Sequence, residues 1–150
     1  MNWFIGKSRS KATDKVIVYP REKNSFKSII KKMKKPCVLY LLADEDISLD
    51  DSIFTDFFDT QKATLKSISK LAKLTNSRVL PCMWTYNFES NDYFFKVFPE
   101  LDNFPSNNIV EDCSKINMCL QQQILFDVSQ YMWTLRIYKH RPDGSDVYKI

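Results

Sequence analysis

The chain has 150 residues, 44% hydrophobic and 27% charged, enough for one domain that buries about 70% of the surface its unfolded form exposes. Its two glycines, Gly6 and Gly144, exclude a P-loop or a dinucleotide fingerprint, which need several glycines for close approach to phosphates. No run of 18 apolar residues occurs, so any contact with a membrane is expected to be peripheral. The net charge of +4 is unevenly spread: residues 1–35 hold eleven Lys/Arg against two acids, a balance of +9, and the remainder carries −5.

In chain order, Val16 to Tyr19 reads as a short strand. Residues 24–35 then read as a helix, with Phe26, Ile29, Ile30 and Met33 at helical spacing and lysines filling most other positions. Asn24 or Ser25 would cap this helix and Pro36 would stop it. Its lysine face suits plain solvation, attraction to anionic lipid headgroups, or nucleic acid. Cys37 to Leu42 reads as a buried strand, residues 62–75 as a helix ending at Asn76, and Arg78 to Met83 as another strand. This β-α-β-α-β order predicts an α/β fold with a mixed, partly parallel sheet flanked by helices. A hairpin is expected over residues 79–98, a long helix over 106–128, and a tight turn at Pro142-Asp143-Gly144. No linker or repeat divides the chain, so residues 1–150 read as a single domain.

The four cysteines, Cys37, Cys82, Cys113 and Cys119, form no Cys-x-x-Cys pair and stand at no zinc spacing to the lone histidine, His140. They read as buried reduced thiols, and no metal set is expected.

Gln130-Tyr131-Met132-Trp133-Thr134-Leu135-Arg136-Ile137-Tyr138-Lys139-His140-Arg141-Pro142-Asp143-Gly144 resembles the closing signature of the lipid A biosynthesis (lauroyl/myristoyl) acyltransferases. That signature runs Gln-Tyr-Met-Trp-x-His-Arg-Arg-Phe-Lys-Thr-Arg-Pro-x-Gly; Leu135 and Ile137 depart from it. Earlier segments follow in the family's order. Ala43-Asp44-Glu45-Asp46 resembles its Pro-Asp-Gln-Asp block, and Ser52 to Phe58 its Ser-Val-Phe-Val-Pro-Phe-Phe. Ala63-Thr64-Leu65 with Leu71 to Leu74 is similar to its Ala-Thr and Leu-Ala-Arg-Leu helix, and Asp102 to Ser106 to its Glu-Asn-Phe-Pro-Ser. The family's His-x4-Asp/Glu motif and N-terminal membrane helix have no counterpart in this sequence; five positions after His140 stands Ser145. The resemblance thus implies the C-terminal half of the glycerolipid/lipid A acyltransferase fold, without the histidine that serves the family as base.

The resemblance implies substrate contacts at Arg21, Asp44, Asp46, Ser52, Phe54, Phe57, Phe58, Arg136, Lys139 and Arg141. Asp44 and Asp46 would stand on the active-site rim at a strand's carboxyl end or form a solvated acidic loop. Phe54, Phe57 and Phe58 would pack a core or line an acyl channel; Asp56 and Asp59 replace the family's proline and glycine beside them. Arg136, Lys139 and Arg141 would meet phosphates, which guanidinium groups grip with two hydrogen bonds, or pair with internal acids.

The family transfers a fatty acyl chain from acyl carrier protein to a lipid A precursor at the cytoplasmic face of the inner membrane, with no cofactor. The expectation is therefore a truncated, membrane-associated acyltransferase of lipopolysaccharide synthesis, inactive alone and complemented by a separate N-terminal half. The contrasting expectation is a non-catalytic module that holds anionic lipid or nucleic acid through the basic helix.

Overall fold

The computed structural model describes residues 7, 8, 10, 11, 15–20 and 23–149. The chain divides into two compact units, Met1–Leu39 and Tyr40–Ile150.

In the first unit, α1 (Lys23–Met33) forms where the helical spacing predicts it. Phe26, Ile29, Ile30 and Met33 are partly covered, whereas Lys27, Lys31 and Lys32 are exposed. Lys31 and Lys32 lie in the last turn, where the helix dipole favours positive charge. The strand expected at Val16–Tyr19 does not form: among the described residues this stretch has no ladder partner, and Val16 and Ile17 are exposed.

The second unit is a mixed α/β arrangement: β1 (Ser52–Phe57), β2 (Thr60–Leu65), α2 (Ser67–Thr75), β3 (Cys82–Asn87), β4 (Asp92–Val97) and α3 (Ile109–Phe126). A short 3₁₀ turn follows at Val128–Gln130. The predicted partly parallel sheet is corrected here. Among the described residues the strands form two separate antiparallel pairs, β1 with β2 and β3 with β4. Residues 37–42 take no ladder partner, and Val38 is 96% exposed. Without that strand no βαβ crossover is built.

Residues 62–65, expected as the start of a helix, belong instead to the strand Thr60–Leu65 because Phe58 and Asp59 turn the chain back on β1. Phe57 then faces Thr60 and Ser52 faces Leu65. Phe58 holds a positive φ of 52°, unusual for a bulky side chain. Its N–H donates to Gln121 Oε1 at 2.9 Å, and its ring meets Phe57 edge-on at 4.9 Å. The helical pattern is real only from Ser67, and α2 ends with Asn76 in the left-handed region donating to the Ala72 carbonyl.

The predicted hairpin over 79–98 is present, but its first strand starts at Cys82 rather than Arg78. Pro81 has no N–H to give a ladder; its carbonyl instead accepts from Phe98 N at 2.9 Å. The long helix is trimmed to 109–126 because Asn108 caps it, accepting from the N–H groups of Val110 and Glu111. The turn at Pro142–Gly144 closes with Gly144 N donating to Arg141 O at 3.1 Å, and Gly144 sits at φ +72°.

Phe57, Ile124 and Ile137 form the buried core, with Leu120, Tyr131, Leu135 and Tyr138 packed against them. The C-terminal signature segment therefore closes over the β1–β2 hairpin and α3. Burial of the thiols holds for Cys113 alone in full; Cys82 and Cys119 are half-buried and Cys37 is exposed.

Candidate functional site

The closure of the signature segment brings distant residues together. Tyr131 Oη donates to Asp44 Oδ2 at 3.2 Å, and desolvation, with Asp44 adding its charge, pushes the phenol well above its ordinary range. Two residues on, Asp46 is held by the same segment from its other end. His140 N donates to Asp46 Oδ2 at 2.7 Å, and His140 Nδ1 lies 2.6 Å from Asp46 Oδ1. The Asp46 side chain is wholly enclosed, whereas that of His140 is 24% exposed. Both Asp46 oxygens are thus engaged by residue 140.

Beneath this pair lies Lys62, a fully buried lysine on β2. Desolvation lowers its pKa, opposed by the charges of Asp46 and Asp44. Its Nζ makes a long hydrogen bond to Ala63 O at 3.4 Å. Two carboxylates, a lysine, an imidazole and a phenol are thereby concentrated where the 43–46 loop, β2 and the signature segment meet.

Arg141 Nη1 donates to Thr60 Oγ1 at 2.7 Å at the β1–β2 turn, and its guanidinium carbon lies 5.8 Å from the Tyr138 ring centre. Its Nε is buried with no hydrogen-bond partner among the described residues. Tyr138 in turn donates to Phe57 O at 3.2 Å. Arg136 stacks over Tyr148, with 5.6 Å from its guanidinium carbon to the ring centre. Among the described residues, none of Arg136, Lys139 and Arg141 enters an ion pair. The close ion pairs weighed for these cations are therefore absent there, although the charge of Arg141 still acts on Asp143.

The phenylalanines separate by role. Phe57 is completely buried and fills the core, Phe54 is half-buried on β1, and Phe58 is exposed at the turn. Ser52 opens β1 with its Oγ buried and without a partner. Arg21 lies outside the described residues. No group of three or more His, Cys, Asp or Glu side chains that could hold a metal occurs among the described residues, and no described helix is long and apolar enough to cross a membrane.

Sequence reasoning missed His140 and Lys62. No acid stands at the family's spacing after His140; its acid stands 94 positions upstream. Lys62 is the first residue of the helix expected over 62–75 and carries no signal of its own in the sequence. Gln130 also gains a role from the fold: its amide accepts from Tyr86 N at 2.6 Å and donates to Tyr86 O at 2.7 Å, standing in for a neighbouring strand along β3.

A sequence profile described as bacterial lipid A biosynthesis acyltransferase matches residues 1–140. A lipid A biosynthesis acyltransferase of Haemophilus influenzae is 33% identical over 129 residues, which cover 83% of this chain and 39% of that protein. The lipid A biosynthesis myristoyltransferase of Escherichia coli is 28% identical, over 81% of this chain and 38% of its own length. The palmitoleoyltransferase of the same organism is 23% identical, over 96% of the chain and 46% of its own length. The chain spans less than half the length of these relatives. With a match over nearly all its residues, and with the signature segment folded against the Asp44–Asp46 loop, the chain belongs to the bacterial lipid A biosynthesis acyltransferase family.

Proposed function

We propose that this chain supplies the acceptor-binding part of an acyltransferase that moves a fatty acyl chain from acyl carrier protein to a lipid A precursor. The work is done at the cytoplasmic face of the inner membrane. The observation that carries the reading is the convergence of Asp44 and Asp46 with Tyr131 and His140, beside Lys139 and Arg141, neither of which enters an ion pair among the described residues. A phosphorylated glucosamine needs such cations for its phosphate, and Arg141 offers a guanidinium already fixed in orientation by Thr60. The names of the relatives fit this substrate class. The exposed lysines of α1 suit the same setting, because a phosphorylated lipid acceptor lies in an anionic surface.

An acyl-transfer assay tests this, with labelled acyl-acyl carrier protein, a lipid A precursor, this chain, and the N-terminal part of a relative that provides the His-x4-Asp/Glu motif. Transfer is expected in the combined sample. Arg141→Ala and Lys139→Ala should each lower it about tenfold or more, the size of one charge-assisted hydrogen bond. Transfer no greater than in the sample without this chain would reject the proposal.

A further inference from the structure

We propose that His140, oriented by the buried carboxylate of Asp46, is a second proton-accepting group of this site, presenting Nε2 to the hydroxyl of a bound sugar phosphate. The inference rests on the acceptor-binding reading above. Its geometry is specific. Both Asp46 oxygens are committed to residue 140, one to the backbone N–H at 2.7 Å and one to Nδ1 at 2.6 Å. A carboxylate offers only lone pairs, so Nδ1 carries the proton and the neutral ring keeps its free lone pair on Nε2. Because Nδ1 is turned onto Asp46, Nε2 is directed away from it, and it makes no hydrogen bond among the described residues. The His140 side chain is partly open while its carboxylate partner is sealed from water, so the orienting bond is shielded on the Asp46 side.

The flanking residues fit the same ligand. Lys139 and Arg141 bracket His140 in sequence and are free of ion pairs among the described residues. A phosphate held there brings the hydroxyls of its own sugar into the neighbourhood of Nε2. In the transfer step the sugar oxygen forms a bond to the thioester carbonyl carbon while its proton passes to Nε2. The C–S bond then breaks, and the Nε2 proton goes to the departing thiolate, leaving an ester, a thiol and the neutral imidazole. No oxidant, metal or further co-reactant enters the balance.

One histidine in the chain makes the test direct. A long-range proton–nitrogen correlation spectrum of the full 150-residue chain, uniformly labelled with ¹⁵N, contains a single imidazole in its described fold. At a pH where the ring is neutral, the Nδ1–H tautomer is expected; finding the Nε2–H tautomer overturns the proposal. In Asp46→Asn the amide oxygen is taken by His140 N–H and the amide NH₂ faces Nδ1, so the tautomer should switch to Nε2–H. A Nδ1–H tautomer that persists in a folded D46N chain also overturns it. Titration with glucosamine 1-phosphate should shift the His140 Nε2 resonance together with the Arg141 side-chain N–H signals. Shifts at Arg141 without any at Nε2 overturn this inference and leave the acceptor-binding reading standing. No shift at Lys139, His140 or Arg141 overturns both.

Discussion

Asn117 shows how one side chain ties the second unit together. It is fully buried on α3. Its amide donates to Thr55 Oγ1 at 2.9 Å and to Asp56 O at 3.0 Å, and its Oδ1 accepts from Thr64 Oγ1 at 2.9 Å. Thr55 and Thr64 are bonded to each other at 3.2 Å across the β1–β2 ladder. The helix is thus fastened to both strands of the hairpin that carries Thr60 and Lys62. Asn117→Leu keeps the volume but removes the Asn117 amide from the Asp56 carbonyl and from two threonine hydroxyls, which keep each other and the Lys62 carbonyl as partners; a buried polar group left unsatisfied costs about 1–3 kcal/mol. We expect this variant to lose about 1–3 kcal/mol in urea unfolding, the size of one such group. Adding Thr55→Val and Thr64→Val should return part of that loss, since apolar groups need no partner. A single variant as stable as the parent would show that the network contributes nothing net.

At the scale of elements, α2 and α3 are joined through Asp112, in the first turn of α3. Its carboxylate accepts from Ser69 Oγ on α2 at 2.5 Å and from Ser106 N at 2.8 Å. Desolvation works to raise its pKa, but the hydrogen bonds from Ser69 and Ser106 and the charge of Lys115 prevail and hold it below the ordinary 3.8. A carboxyl whose folded pKa lies under its unfolded value stabilises the fold fully above the unfolded value. That contribution is lost as pH falls through the folded one, because the unfolded chain binds the proton first. Stability should therefore fall as pH drops below about 4, and Asp112→Asn should flatten that fall; an unchanged acid slope in chemical denaturation would assign it to other groups. Elements of this kind differ in how far the sequence announces them. The helices α1 and α3 and the β3–β4 hairpin follow from spacing within one stretch of chain. The strand β2 does not: Lys62, Ala63 and Thr64 are buried in succession, so neither alternation nor apolarity marks it. The site divides in the same way. Asp44, Asp46, Arg136, Lys139 and Arg141 stand out as candidates in the sequence because they sit in motifs. The tie between His140 and Asp46 does not, because it exists only after 94 residues of chain fold back on themselves.

For the whole molecule the dominant asymmetry is electrostatic, with +9 carried by residues 1–35 and −5 by the rest. Within the basic part, α1 turns Lys27, Lys31 and Lys32 to solvent while Phe26, Ile29, Ile30 and Met33 stay partly covered. A helix of this kind is drawn to anionic lipid by about 1 kcal/mol for each lysine near the surface. The attraction is screened over about 10 Å at 0.1 M salt and about 3 Å at 1 M. Flotation with vesicles containing anionic phospholipid should therefore recover the chain at low salt and release it as salt rises, and uncharged vesicles should recover little at any salt. Replacing Lys27, Lys31 and Lys32 by glutamate removes three such contributions, about 3 kcal/mol, and should weaken binding by about a hundredfold. Binding that survives both high salt and the triple replacement would have to come from apolar contact. The exposed Trp84, Tyr93 and Phe95 of the β3–β4 hairpin are then the next residues to replace, because they share one face of that ribbon and their contribution does not weaken with ionic strength.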